Sequence, residues 1–167
     1  MKFWGYRRSD GTVGIRNHVL ILPACACGSE SCRVVASQVR GAVNIVFNTG
    51  CSDVAANTAM SQKVLTGFAC NPNVDGVVII GLGCETVPHK ELREKIQKMT
   101  DKPVVSFGIQ EEGGTLKTIE KAVPETWQRR PLFSRKWSVI FPSCWWALSA
   151  AAPTPPQELP PTRQWER

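Results

Sequence analysis

Four short apolar, β-branched runs recur through the first two-thirds of the chain: His18–Pro23 (HVLILP), Val43–Phe47 (VNIVF), Gly76–Gly81 (GVVIIG) and Pro103–Phe107 (PVVSF). Unbroken runs of this length, rather than alternating ones, suit strands buried on both faces. Segments of helical character follow each run. Ser29–Val39 sets Val34, Val35, Gln38 and Val39 near one face, with Ser29 as the expected N-cap. Ala55–Ala69 sets Ala55, Ala59, Val64 and Phe68 at roughly helical spacing. Pro88–Met99 opens on proline and is dense in charge, as a surface helix would be. Gly114–Lys121 opens a fourth helix. Strand–helix alternation four times over predicts a parallel sheet, in an α/β, Rossmann-like domain of four βα units.

The pattern stops near residue 123. All 13 glycines lie between Gly5 and Gly114, whereas most of the tryptophans and prolines lie after Val123. Residues 1–123 therefore read as the α/β domain, its last helix cut by the break. Residues 124–167 read as an irregular Pro/Trp-rich tail whose end cannot hold a helix or a central strand. Trp137–Phe141 is the one short apolar run in that tail. The net charge of +6 is split evenly across the break, and no basic stripe interleaved with aromatics occurs, which argues against nucleic-acid binding. No apolar run reaches the ~20 residues that span a bilayer. The N-terminus lacks the apolar core of a secretory signal. A cytoplasmic setting follows, in which seven cysteines serve as thiols or metal ligands rather than as a disulfide frame.

In a parallel sheet, ligands bind beyond the carboxyl ends of the strands. The segments there read PACACG, NTGCSD, LGCETV and GIQEEGG, and they gather Cys25, Cys27, Cys51 and Cys84. Cys51 and Cys84 each follow a glycine and have an acid close by, Asp53 and Glu85. Thiolates converging from separate loops make soft metal ligands; ordinary buried cysteine is the bland alternative. Cys25, Cys27 and Cys32 form C-x-C-x4-C, which is no standard zinc knuckle, and Cys32 belongs to the core of the first helix. Cys70 and Cys144 read as incidental. His18 and His89 read as structural, with His89 the lesser site candidate because it follows the Cys84–Glu85 loop. Gly113, Gly114 and Thr115 either present N–H groups to an anion at a helix start or form a plain capped turn. Arg16, beside Asn17, either clamps a carboxylate or lies in a solvated turn. No dinucleotide or Walker pattern occurs, which argues against NAD or ATP.

The stretches GYRRSDGTVGIRNHVLILP, NTGC, NPNVDGVVIIGLGCE and IQEEGGTLKTIEK, in that order, resemble the altronate and D-galactarate dehydratase family, whose relatives include the large subunit of (2R)-sulfolactate sulfo-lyase. The resemblance covers about residues 4–121. It implies a lyase that removes water from a sugar acid to give a 2-keto-3-deoxy acid, with a divalent metal, usually iron (Fe2+), with Mn2+ or Zn2+ as alternatives. It puts Arg16 and Asn17 in the opening motif, Thr49 and Cys51 in the NTGC loop, Cys84 and Glu85 in G-C-E, and Gln110, Gly113, Gly114 and Thr115 in Q-x-x-G-G-T. On that basis Arg16, Asn17, Thr49, Glu85 and Gln110 are the expected catalytic residues. Gly113, Gly114 and Thr115 are expected to bind substrate, and Cys51 and Cys84 to hold metal. The histidine often heading the NTGC loop is replaced here by Phe47. Family members carry a small β-rich domain, sometimes as a separate small subunit, which makes such a subunit a candidate partner alongside a second copy of the chain.

Family members also continue to a C-G-G-S-D motif. Read one frame over, the codons allowed for Trp146–Arg167 permit G-A-E-C-G-G-S-D-T-T-S-G-I-A-A-N-P-A-M-G-A, which contains it. The expectation is therefore a frame change near Lys121–Val123, leaving a dehydratase fragment inactive by itself. The rival readings are a non-catalytic anion- or metal-binding α/β module and a fragment of a sulfolactate sulfo-lyase large subunit.

Overall fold

The computed structural model describes residues 2–51, 54–129 and 137–140. Its centre is a parallel sheet of β3 (His18–Pro23), β4 (Ala42–Asn44), β5 (Val74–Gly81) and β6 (Val104–Gly108), in the order β4-β3-β5-β6. The register sets Leu20 beside Val77 and Val77 beside Val104. Each strand is followed by a helix: α1 (Ser29–Gln38), α2 (Ala55–Cys70), α3 (His89–Met99) and α4 (Thr115–Arg129). The predicted four-βα architecture is the one observed.

Alternation along the buried strands sorts the core into two layers. Leu20, Leu22, Val77 and Ile79 pack with Leu65, Leu92 and Ile96 beneath α2 and α3. Val19, Ile21, Val78 and Ile80 pack with Cys32, Val35 and Ala122 beneath α1 and α4. Both faces are covered, which is why the strands read as continuous apolar runs. Full burial of each such side chain stabilises the fold by roughly 1.5–3 kcal/mol.

Several local expectations are corrected. Ser29 is not the cap; Gly28 is, and Ser29 Oγ instead donates to the Phe47 carbonyl at 3.0 Å, tying α1 to the segment after β4. That segment leaves the sheet after Asn44, although Ile45 and Phe47 still pack on the core. On α2 the buried pair is Leu65 and Ala69, while Val64 and Phe68 are half exposed, because the helix is apolar on more than one side. Helix α4 does not stop at Lys121 but runs to Arg129, through Pro124. Ala122 and Thr126 hold it on the sheet, both at 0% exposure, and the Thr126 hydroxyl donates to the Ala122 carbonyl at 2.7 Å.

A second, antiparallel sheet of order β2-β1-β7 joins β1 (Lys2–Arg7), β2 (Val13–Gly14) and β7 (Trp137–Ile140). It was not expected, apart from the apolar run that became β7. The rest of the 124–167 tail, with Cys144 and the stretch carrying the second-frame reading, lies outside the described residues, as does Asp53.

Candidate functional site

The sheet order has a switch point. From β3 the chain moves one way to β4, then crosses back to β5 and on to β6. The loops after β3 and β5 therefore leave the carboxyl edge on opposite sides of the sheet, the usual ligand position in such folds. The backbone of these loops is interlocked. Ala24 N–H donates to the Ile80 carbonyl at 2.9 Å, Ala26 N–H to Thr49 at 2.8 Å, and Thr86 N–H to Gly50 at 2.8 Å. Gly50 packs directly on the first of these loops: its φ is +108°, and a β-carbon there would stand 3.0 Å from Cys25 Cα. Only glycine meets both demands without strain.

This packing brings three thiols together. The sulfurs of Cys25, Cys27 and Cys51 all lie within 4.8 Å of one another. Cys25 is fully buried, while Cys27 and Cys51 are exposed. Burial pushes the Cys25 thiol up in pKa, against the lowering influence of the nearby Gly28 and Leu82 amides. The Cys51 thiol is pushed up to about 11 by withdrawal from water, by its hydrogen bond with the Cys27 thiol, and by the neighbouring thiols of Cys25, Cys27 and Cys84. Cys84, exposed on the next loop, is near enough to act on Cys51 electrostatically but is not one of the three. A soft or borderline divalent ion fits this donor set, since thiolates that resist ionising beside one another are stabilised by a shared cation. Cys25 and Cys27 had not been expected as ligands; the C-x-C spacing was the available signal.

Glu85 is held tightly. Its side chain is 1% exposed. One oxygen accepts from Leu82 N–H at 3.1 Å and from Gly83 N–H; the other accepts from His89 N–H at 3.1 Å and faces His89 Nδ1 at 3.0 Å. Burial opposes the charge, but the Gly83 amide, the His89 ring and the His89 amide outweigh it, so the carboxyl pKa lies below the ordinary glutamate value. A carboxylate partner makes Nδ1 the protonated ring nitrogen. Nε2 is then buried without a hydrogen bond, 3.7 Å from Glu111 Oε2. Glu85 thus orders the loop and the start of α3. His89 had been the lesser candidate; the E-x3-H spacing across a helix start marks the pair.

Gln110 and Thr49 are exposed at the same edge. Gln110 N–H donates to Leu82 at 3.0 Å, which ties the fourth loop to the third. The Gly113 and Gly114 amides close a turn, donating to Gln110 at 3.3 Å and Ile109 at 2.8 Å, so both N–H groups are engaged within the protein. Thr115, exposed, begins α4 directly after them.

Arg16 and Asn17 lie elsewhere. They precede β3, at the amino edge, and a six-residue strand sets the two edges about 17 Å apart. There Arg16 N–H donates to Asn73 Oδ1 at 3.0 Å, and Asn17 Oδ1 accepts from Arg8 at 2.6 Å. The Arg8 guanidinium also donates to the Pro72 carbonyl at 2.7 Å and pairs with Asp75. This clip fastens the β1–β2 hairpin to the sheet. The site residues thus divide into a carboxyl-edge group and an amino-edge pair.

Residues 5–130 match the pattern described as "D-galactarate dehydratase/Altronate hydrolase, second domain". The chain is 35% identical over 111 residues to (2R)-sulfolactate sulfo-lyase subunit beta of Chromohalobacter salexigens, covering 66% of this chain and 28% of that protein. It is 30% identical over 101 residues to altronate dehydratase of Escherichia coli, covering 54% and 20% respectively. With altronate dehydratase of Bacillus subtilis it shares 28% over 112 residues, covering 61% and 22%. The chain thus spans less than a third of the length of these relatives. Matching over most of its own length, the chain belongs to the D-galactarate dehydratase/altronate hydrolase family, of which residues 5–130 are the second domain.

Proposed function

We propose that the chain supplies the metal-binding and acid-binding edge of a hydro-lyase of the altronate or galactarate type, which removes water from a sugar acid to leave a 2-keto-3-deoxy acid. The observation that carries this reading is the convergence of three thiols, Thr49 and Gln110 at the carboxyl edge of a domain of this family. In the reaction the carbon beside the carboxylate loses its proton, the neighbouring carbon loses its hydroxyl, and the resulting enol becomes the ketone. A divalent ion held at Cys51 and the thiols beside it supplies Lewis-acid polarisation of the acid's oxygens. The thiol donors rank iron and zinc above manganese.

The protein's own groups do the rest. The Thr49 hydroxyl and Gln110 amide are exposed at the edge and bind the acid's hydroxyl and carboxylate oxygens. Thr115 adds its hydroxyl at the start of α4. Glu85 is a positioning residue, its carboxylate saturated by four donors. Arg16 and Asn17 serve the amino edge rather than the reacting carbon. The exposed, unpaired thiols suit a reducing cytoplasm. Among the described residues no helix is long and apolar enough to cross a membrane. A small β-rich subunit and a second copy of the chain are the proposed protein partners; the sulfo-lyase relative is itself named a subunit.

The sulfo-lyase is the second reading, favoured by the 35% identity to that relative. Anaerobic assays with Fe2+ on altronate, galactarate and (2R)-sulfolactate separate the two. The chain by itself is expected to bind without turnover, given the 20–28% of each relative that it covers. The product of the gene with the C-G-G-S-D frame restored is expected to release a 2-keto-3-deoxy acid. Sulfite release from sulfolactate would establish the second reading. No product from any acid would contradict both and leave a non-catalytic binding module.

A further inference from the structure

We propose that Cys25, Cys27 and Cys51 form a three-thiolate site for one borderline-soft divalent ion, with a fourth position open to solvent at the carboxyl edge of the sheet, and with Cys84 outside the ligand set. The proposal deepens the metal part of the lyase reading and rests on it only for what the ion does in turnover.

Geometry comes first. A tetrahedral ion with metal–sulfur bonds of about 2.3 Å holds its sulfurs about 3.8 Å apart. The three sulfurs already lie within 4.8 Å of one another, so closing the set takes about 1 Å of movement. Cys27 and Cys51 are exposed and have room to make it. Cys25 is fixed: it is fully buried, with Gly50 pressed against its backbone. The site therefore has one rigid ligand and two adaptable ones, reached from the solvent side. An iron–sulfur cube would hold three thiolates further apart than a single ion does, which favours a mononuclear site.

The surroundings of Cys25 suit a thiolate. The Gly28 and Leu82 amides, one from its own turn and one from the loop after β5, favour its ionised form. Backbone donors of this kind orient a metal-bound sulfur and tune it. The turn cannot easily shift, because a β-carbon on Gly28 would stand 2.7 Å from the Ile80 carbonyl oxygen. Binding is a proton exchange: three thiols give up three protons as three metal–sulfur bonds form, with no change of oxidation state.

The test is a cobalt titration of the full chain, reduced and held anaerobic, followed by absorbance. Expected are a sulfur-to-cobalt charge-transfer band in the near ultraviolet, visible bands of tetrahedral intensity, and saturation at one Co2+ per chain. Zn2+ should abolish the bands. Cys27→Ser and Cys51→Ser should each weaken binding by about tenfold or more. Both positions are exposed, so these variants fold even if Cys25→Ser does not; circular dichroism checks this. Cys84→Ser should keep band and stoichiometry. Absence of the charge-transfer band overturns the site, as does equal weakening by Cys84→Ser, or saturation only at several ions per chain. Turnover of a sugar acid by the frame-restored protein without a thiolate band would fail this site alone. An intact cobalt site without turnover of any acid would fail the lyase reading alone.

Discussion

Replacing Glu85 by glutamine tests how the third loop is held. The carboxylate accepts from Leu82, Gly83, the His89 amide and the His89 ring, two donors to each oxygen. Glutamine puts an NH2 group at one of those oxygens whichever way it is turned, so two donors must face a donor. A hydrogen bond to a charged group contributes ~1.5–3 kcal/mol, and a buried donor left unmet costs ~1–3 kcal/mol. With two bonds lost and two weakened, Glu85→Gln should destabilise the fold by about 3–5 kcal/mol. That is a large share of the ~5–15 kcal/mol typical of a domain. Urea unfolding followed by circular dichroism at pH 7 reads it directly. With a urea slope of ~1–3 kcal/mol per molar, the midpoint should fall by about 2 M. The pH dependence carries its own sign. Because the folded carboxyl pKa is depressed, its contribution is complete above the ordinary value of 4.5 and fades as pH falls through the lower folded value. The gap between wild type and variant should therefore narrow only on acidification below 4.5. A midpoint shift under about 0.3 M, or a gap unchanged at acid pH, would refute the reasoning.

Three further outcomes follow from the same geometry. Gly28→Ala should cost about 1–3 kcal/mol, because the new methyl meets the Ile80 carbonyl, and it should weaken cobalt binding as well; an unchanged urea midpoint would count against the packing described. Arg8→Lys should destabilise the fold by about 2–4 kcal/mol by breaking the clip to Asp75, Pro72 and Asn17, yet leave the cobalt titration untouched, since it acts at the other edge. Labelling with Ellman's reagent at pH 8, resolved by mass spectrometry, should modify Cys27 and Cys84 first, with Cys51 lagging despite its exposure because its pKa is near 11, and with Cys25 and Cys32 protected until the fold opens.

The strands were legible because both sides of the sheet are covered: Val77–Ile80 are all fully buried, and only apolar residues survive there. What escaped was non-local. Strand β1 exists through pairing with Val13–Gly14 and with Trp137–Ile140, far along the chain, and nothing in its own six residues announces that. Helical spacing on α2 offers adjacent i, i+4 pairs, Val64–Phe68 and Leu65–Ala69; the crossover geometry, not local spacing, buries the second. At the site, the position of every loop followed from the carboxyl-edge rule. The same rule places Arg16, which precedes a strand, at the opposite edge. The meeting of Cys25 and Cys27 with Cys51 depended on β3 and β4 being neighbours, a fact of sheet order. The Glu85–His89 pair depended on where α3 starts.

The most direct test is a residue-resolved nuclear magnetic resonance titration of the chain, loaded with Zn2+, against galactarate. If the carboxyl edge is the site, amide shifts should concentrate in Ala24–Gly28, Asn48–Cys51, Leu82–Glu85 and Ile109–Thr115, with Arg8, Arg16 and Asn73 unmoved. Shifts centred on Arg8, Arg16 and Asn73 instead would place acid binding at the amino edge and contradict the account.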